Sequence, residues 1–201
     1  YEQIGQIAQK YNLLVLEDAA QGFGGNINGK MACGFGDAAT TSFFPAKSLG
    51  CYGDGGAVFT DSDELANLLK SIRIHGKGTE KYDNVRIGLN SRLDTIQAAI
   101  LLPKLKAFKE YELQKLNEIA CRDTESLKGK YTTPFVPNNI KSSWAQYTLL
   151  LKNEEERNSL QSKLKEHNIP SMIYYPKPLH LQTCYKDLEY KSRLINSENA
   201  S

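Results

Sequence analysis

Apolar positions in the first sixty residues change from helical to strand spacing. A helix is predicted over residues 1–10, where apolar side chains recur three and four positions apart. The next apolar run, 13–16, is continuous, which favours a strand buried on both faces, as in a parallel sheet. Two further strand-like runs follow, at 38–44 and 57–60. This alternation predicts an α/β fold.

The central part of the chain predicts two helices separated by a polar loop. Asp61 or Ser62 caps the first helix, whose apolar face repeats with helical spacing. The loop covers residues 76–89. A longer helix is expected from Leu93, and Pro103 inside it should kink or interrupt it. Its start resembles a capping box, since Ser91 is followed three residues later by Asp94.

The last seventy residues predict a second, smaller α/β unit. Strand-like runs at 144–151 and 169–175 flank a helical pattern at 154–167. A change of composition near residue 130 indicates a boundary there. We therefore expect part of a large domain in 1–130 and part of a small domain in 131–201.

The two ends of the sequence suggest a longer protein. Tyr1 already lies within a helical pattern, so the chain is expected to begin inside a larger molecule. After Tyr190 the sequence is polar and predicts no closing element.

Composition and charge exclude several classes of protein. Of 201 residues, 40% are hydrophobic and 24% charged, which is ordinary for a globular protein, and the net charge is only +2. Without a basic stripe or a long apolar run, neither a nucleic acid nor a membrane is expected as a partner. The four cysteines match no zinc pattern and no metal site is expected, so they are interpreted as reduced thiols of a cytoplasmic protein.

Asp18 is the first candidate for chemistry. It follows the apolar run 13–16, and α/β sheets bind ligands at the carboxyl ends of their strands. A buried carboxylate there needs a cationic partner. The alternative is that Asp18 only caps a helix.

Lys47 is the second candidate. It follows the apolar run 38–44 and precedes a segment rich in glycine, 50–56. A lysine held on such a turn loses water, and desolvation lowers its pKa toward that of a useful nucleophile. The glycines would let the backbone approach a bulky ligand, or they would merely form a hairpin. An ordinary surface lysine is the alternative.

Asp18, Gln21, Ser42 and Lys47 together resemble the signature of the DegT/DnrJ/EryC1/StrS family. The similarity runs from about residue 13 to about residue 180 and is most specific in 43–60 and 93–102. The resemblance implies a type I aminotransferase fold, with a three-layer α/β/α large domain and a small α/β C-terminal domain, present here as a fragment. It also implies pyridoxal phosphate as cofactor and a homodimer with shared active sites.

The activity that the resemblance implies is amino-group transfer from L-glutamate to a nucleotide-linked keto sugar. The chain most resembles enzymes that aminate C3 of a UDP-linked 3-oxo-N-acetylglucuronate, in the biosynthesis of lipopolysaccharide and other surface glycans. Two alternatives remain open: a C4 aminotransferase of a 4-keto-6-deoxy sugar, and a regulator that binds the cofactor without turnover. A sugar dehydratase of the same fold is disfavoured, because those enzymes typically carry His at the position of Lys47.

The resemblance implies a role for each residue of the signature. Lys47 would form the Schiff base with the cofactor and later move a proton, and Asp18 would keep the pyridine nitrogen protonated. Gln21 would touch the ring oxygen and Ser42 the phosphate. Asn90 would reach the phosphate of the neighbouring subunit's cofactor.

Substrate contacts are implied less directly. Arg92 is a candidate clamp for a carboxylate, since a guanidinium binds one with two hydrogen bonds, or else a surface arginine. His180 is a candidate for the sugar pocket, or a structural histidine. Tyr174 stands where related enzymes often carry His, which makes the contact with the sugar uncertain. The phosphate-binding turn of the family is expected upstream of Tyr1.

A dinucleotide site is a weaker interpretation. Gly34, Gly36 and Ala39 fit a loose glycine fingerprint, but they precede a strand-like run instead of opening a helix. We therefore discount it.

Overall fold

The computed structural model describes residues 1–186 and 194–201, which form two compact units. The first unit spans Tyr1–Leu149 and the second Leu150–Ser201. Residues 131–149 group with the first unit because strand β6 (Ile140–Lys141) pairs with strand β2 (Asn26–Ile27). The assignment of 1–130 and 131–201 to two domains of the intact protein stays a prediction. Residues 187–193, including the start of the tail after Tyr190, lie outside the described part.

The main sheet of the first unit has three strands in the order β1-β4-β5. Strand β1 (Leu16–Asp18) is parallel to β4 (Ala38–Ser42), and β4 is antiparallel to β5 (Gly56–Phe59). The strands predicted over 38–44 and 57–60 are thereby confirmed.

Strand β1 begins later than the apolar run 13–16 predicts. Its ladder starts where β4 starts, and just before that point Val15 is held by Asp37, whose Oδ2 accepts the Val15 N–H at 2.7 Å. The prediction that this strand is buried on both faces is also wrong for this chain, because Leu14 is 88% exposed and Leu16 is 69% exposed. Among the described strands, β1 pairs only with β4.

Helix α1 (Glu2–Tyr11) confirms the predicted helix over 1–10. It ends at Asn12, whose left-handed backbone (φ 51°) lets its N–H bond the last turn. The second small sheet, β3-β2-β6, adds strand β3 (Lys30–Met31) to the antiparallel pair β2 and β6.

Helix α2 (Asp63–Ile72) starts where the sequence indicates, since the Ser62 hydroxyl accepts the Leu65 N–H at 3.2 Å. The long helix also forms, as α3 (Thr95–Ala107), a π-helical segment (Phe108–Glu112) and α4 (Leu113–Leu127). It continues through Pro103, so the predicted interruption there is wrong. The capping box does not form either, because Asp94 is the N-cap and makes no side-chain cap bond.

The core of the first unit lies between the main sheet and the long helix. Phe108 of the π-helical segment is 3% exposed and lies against Phe23, with ring centroids 6.2 Å apart. Gly24 has φ +91°, and a Cβ there would lie 2.5 Å from Phe108 Cζ, so glycine is required. The buried cluster contains Phe43, Leu49, Cys51, Leu101 and Phe108.

The second unit contains helix α5 (Glu154–Glu166), two 3₁₀ turns (Leu179–Leu181 and Thr183–Tyr185) and helix α6 (Ile195–Asn199). Helix α5 confirms the predicted helix, and Asn153 caps it by accepting the Glu156 N–H at 2.9 Å.

The two strands predicted for this part of the sequence, over 144–151 and 169–175, are wrong. In the described residues these segments are irregular, apart from an isolated bridge position at Leu150. A strand needs a hydrogen-bonded neighbour along its length. Residues 144–147 instead bond through their side chains to α4: Tyr147 Oη lies 2.7 Å from Thr124 Oγ1.

Candidate active site

Two of the candidate residues lie at the same edge of the main sheet. Asp18 ends β1 and Ser42 ends β4, and the parallel register places Asp18 beside Thr40. The carboxyl ends of parallel strands therefore bring a carboxylate and a hydroxyl to one rim, where α/β folds bind ligands.

Asp18 caps a turn and not a helix. Its Oδ1 accepts the Ala20 N–H at 3.0 Å, and the chain makes one turn closed by the Phe23 N–H bond to the Ala19 carbonyl. The alternative of a helix cap is therefore wrong. The neighbouring Glu17 points the other way and is buried, at 2% exposed.

Lys47 lies in a tight turn directly after β4. Its N–H donates to the Phe44 carbonyl at 2.9 Å, and the Ser42 hydroxyl accepts the Phe44 N–H at 3.2 Å. The Lys47 side chain is half-buried. Buried Cys51 closes the segment behind this turn, because its Sγ bonds the Phe43 carbonyl at 3.0 Å. The turn is held on both sides by local hydrogen bonds.

Asp18 and Lys47 border two different cavities. The first, of about 350 Å³, is lined by Asp18 and Gln21 with residues of the second sheet and 135–143. The second, of about 340 Å³, is lined by Lys47 and Ser48, by α4 and by Trp144.

A short chain of hydrogen bonds connects these two cavities. The Ser48 hydroxyl donates to the Ser143 carbonyl at 3.3 Å, and the Ser143 hydroxyl donates to the Gln21 carbonyl at 3.0 Å. The turn after β1 and the turn after β4 therefore meet through Ser143.

Asn90 and Arg92 lie together and line neither of these cavities. Arg92 Nη2 donates to Asn90 Oδ1 at 2.6 Å, and both side chains are exposed. The Asn90 backbone bridges to Ile74 at the end of α2. Their assigned contacts with a phosphate and a carboxylate stay predictions.

His180 and Tyr174 belong to the second unit. His180 Nε2 lies 3.5 Å from Glu198 Oε1, and its side chain is 8% exposed, which is the environment expected of a structural histidine. Tyr174 packs edge-to-face on Tyr175, with ring centroids 5.3 Å apart. Their roles in sugar binding stay predictions.

Sequence reasoning missed Glu17. Its carboxylate accepts the N–H groups of Cys33 at 2.7 Å and Phe35 at 3.0 Å, and so organises the loop between β3 and β4. Strand alternation could have indicated it, because a neighbour of an outward-facing Asp18 must point inward. Burial and then the negative charge of Glu17 raise the pKa of the Cys33 thiol above its ordinary value.

Sequence reasoning also missed Ser143, and no local pattern indicates it. Its partners lie 95 and 122 positions away in the chain.

The residues at the rim fit pyridoxal phosphate in their chemistry. Asp18 carries a carboxylate, fixed by its bond to Ala20, of the kind that pairs with a protonated ring nitrogen. A lysine amine such as that of Lys47 condenses with an aldehyde, and a hydroxyl such as that of Ser42 hydrogen-bonds a phosphate. Over residues 1–186 and 194–201, no cluster of three or more His, Cys, Asp or Glu side chains could hold a metal ion. In the same residues, no helix has the length and apolar content to cross a bilayer.

The curated relatives of this chain include aminotransferases and a regulatory protein. The chain is 46% identical over 192 residues to a UDP-2-acetamido-2-deoxy-3-oxo-D-glucuronate aminotransferase of Pseudomonas aeruginosa, covering 95% of this chain and 52% of that protein. It is 41% identical to a pleiotropic regulatory protein of Geobacillus stearothermophilus, covering 100% and 54%. The chain therefore spans about half the length of the curated relatives it matches.

A solved structure gives the fold of the whole chain. A DegT DnrJ EryC1 StrS aminotransferase from Brucella abortus superposes with a TM-score of 0.91 at 49% identity, over 100% of this chain and 53% of that one. The fold is the type I aminotransferase fold, present as a fragment, as expected. A family model matches residues 1–201. The chain belongs to the DegT/DnrJ/EryC1/StrS aminotransferase family.

Proposed function

We propose that the full-length protein transfers an amino group from L-glutamate to a keto group of a nucleotide-linked sugar, with pyridoxal phosphate as cofactor. The observation that carries this proposal is Asp18 and Ser42 at one rim of the sheet, with Lys47 in the turn that follows β4. The 46% identity to the Pseudomonas enzyme supports C3 of a UDP-linked 3-oxo-N-acetylglucuronate as the position aminated.

The cofactor would supply an aldehyde that accepts the amino group and a ring that withdraws electron density from the substrate. Asp18 would keep the ring nitrogen protonated, since an adjacent carboxylate stabilises the positive charge. The Lys47 amine would hold the cofactor and then, once released, move a proton at the substrate carbon. Gln21 would bind the ring oxygen and Ser42 the phosphate.

A homodimer with shared sites completes the proposal. Asn90 and Arg92 are exposed beside Val85, Ile87 and Leu89, whose alternating apolar side chains are 53%, 98% and 63% exposed. A second subunit would cover this apolar stretch and bring Asn90 to the partner's cofactor. Arg92 would then clamp a carboxylate of glutamate or of the sugar, and Tyr174 and His180 would contact the sugar.

We place this protein in the cytoplasm, in a pathway that makes lipopolysaccharide or another surface glycan. The free thiols at all four cysteines support a reducing compartment.

The test uses the full-length protein, L-glutamate and a panel of UDP-linked and dTDP-linked keto sugars, with products identified by mass spectrometry. We expect the amino product from the UDP-3-oxo-glucuronate substrate. A product only from a 4-keto-6-deoxy sugar would move the reaction to C4. A bound cofactor whose visible absorption never changes with glutamate would identify a regulator instead of an enzyme.

A further inference from the structure

Residues 142–145, called here the connecting segment, lie between the two cavities that hold the candidate catalytic residues. Ser142 and Ser143 line the cavity of Asp18 and Gln21. Trp144 and Ala145 line the cavity of Lys47. This short stretch of backbone therefore forms a wall of both.

The connecting segment is fixed in place from both ends. The preceding strand β6 is paired with β2 in the second sheet. On the other side, Asn117 of α4 holds it twice: its Nδ2 donates to the Ser142 carbonyl at 3.1 Å, and its Oδ1 accepts the Trp144 indole N–H at 3.2 Å. Trp144 has a left-handed backbone, φ +50°, which these bonds help to maintain.

Ser143 makes the two hydrogen bonds that link the turn of Asp18 to the turn of Lys47. It is 3% exposed, so the hydrogen bonds it forms are shielded from water. Its hydroxyl holds the Gln21 carbonyl in the turn of Asp18, and its carbonyl holds Ser48, the residue after Lys47.

We propose that Ser143 is a positioning residue that sets the separation between the Asp18 carboxylate and the Lys47 amine. The proposal rests on the function proposed above, because both groups must reach one cofactor ring. The pairing of β1 with β4 ends at Asp18 and Thr40, and beyond that point Ser143 connects the turn of Asp18 to the residue after Lys47. Small errors of position weaken both cofactor binding and catalysis.

The test compares the full-length protein with its Ser143→Ala and Ser48→Ala variants and the double variant. Ser126→Ala is the matched control, because the exposed Ser126 hydroxyl also donates to a backbone carbonyl, that of Arg122, at 2.8 Å. The readouts are the dissociation constant of pyridoxal phosphate, titrated into apoprotein, and the pH midpoint of its visible absorption band.

Each single variant is expected to weaken cofactor binding on the order of threefold to tenfold, the value of one hydrogen bond. The pH midpoint should rise. A less firmly positioned Asp18 leaves less positive charge on the ring, and the Lys47 nitrogen bound to the cofactor is then protonated more easily. Both hydrogen bonds belong to the same series from Ser48 through Ser143 to Gln21. The dissociation constant of the double variant should therefore equal that of the weaker-binding single variant, and the two single effects should not multiply. Ser126→Ala should change neither readout.

Two results would overturn the proposal while leaving the proposed function intact. One is a lower melting temperature for Ser143→Ala with an unchanged dissociation constant and pH midpoint, which is a purely structural role. The other is a multiplicative effect in the double variant. If Ser143→Ala fails to fold, the same readouts on Ser48→Ala decide. If the unaltered protein binds no pyridoxal phosphate, both this inference and the proposed function fail.

Discussion

At the scale of single residues, the turn after β4 presents one lysine in a defined environment. Lys47 is half-buried and its backbone is bonded to Phe44, whereas most lysines of the chain are solvated. Lys47 differs from the exposed lysines of the chain in its surroundings, which are the turn after β4 and partial burial.

Replacing Lys47 by alanine is expected to abolish turnover and remove the visible band of the covalently held cofactor, while the fold persists. Lys70→Ala is the control, since Lys70 is an exposed lysine of α2. The measurement is the absorption spectrum together with product formation from glutamate and the keto sugar. Transamination retained in Lys47→Ala would contradict the assignment.

Asp18→Ala is expected to reduce turnover on the order of a hundredfold or more, because the ring loses its charge partner. Single-turnover kinetics with glutamate measures the effect directly. A loss of turnover under about tenfold would mean that Asp18 has only the local structural role of its bond to Ala20.

Glu17 has a structural role that can be measured as a change in the free energy of unfolding. Glu17→Ala leaves the partly buried N–H groups of Cys33 and Phe35 without their acceptor, so the free energy of unfolding should fall by about 2 kcal/mol. Glu17→Gln keeps an acceptor and should cost less. Denaturant unfolding of both variants measures the difference, and equal losses would rule out the hydrogen bonds as the cause.

The Cys33 thiol is expected to alkylate more slowly than the exposed Cys121. Burial and the Glu17 charge raise the pKa of Cys33, and a raised pKa leaves less of the reactive thiolate at any pH below it. Peptide mapping after timed iodoacetamide treatment gives both rates. In Glu17→Gln the Cys33 rate should increase, and an unchanged rate would mean that burial alone protects the thiol.

At the scale of elements, helix starts show where local sequence decides structure. Ser62 caps α2 through its hydroxyl, whereas Ser91 belongs to a capping-box pattern that the chain does not use. The difference lies in backbone geometry, because Asp94 is the N-cap of α3 and Ser91 lies ahead of it, with its N–H bonded to the Arg73 carbonyl.

Ser62→Ala should therefore lower the free energy of unfolding by about 1 kcal/mol, the usual value of a lost cap. Ser91→Ala should stay within about 0.5 kcal/mol of the unaltered protein. Thermal and denaturant unfolding check both. A larger loss for Ser91→Ala would indicate a capping role that the structure does not contain.

At the scale of the whole molecule, the proposed sharing of active sites between subunits predicts how much activity mixed dimers have. Lys47→Ala and Asn90→Asp would damage sites through different subunits, the second by placing a negative charge near the partner's phosphate. Co-expressed together, they should recover about one quarter of the unaltered activity, because half the dimers are mixed and each has one intact site. Each variant alone stays low. No recovery in isolated mixed dimers would place Asn90 and Lys47 in the same subunit's site.

Local patterns alone predicted three of the helices and the strands β4 and β5. Helical periodicity located α1, α2 and α5, and the residues around Lys47 carried the resemblance to the family. These features depend on neighbours within a few positions, so the sequence itself contains them.

Only the tertiary structure decided which distant segments meet. It joined β6 to β2, placed Glu17 under the loop of Cys33, and linked Ser48 to Gln21 through Ser143. It also left 144–151 without a strand. Contacts of this kind depend on how separate elements pack and on which buried polar groups remain to be satisfied, and no spacing along one chain encodes that outcome.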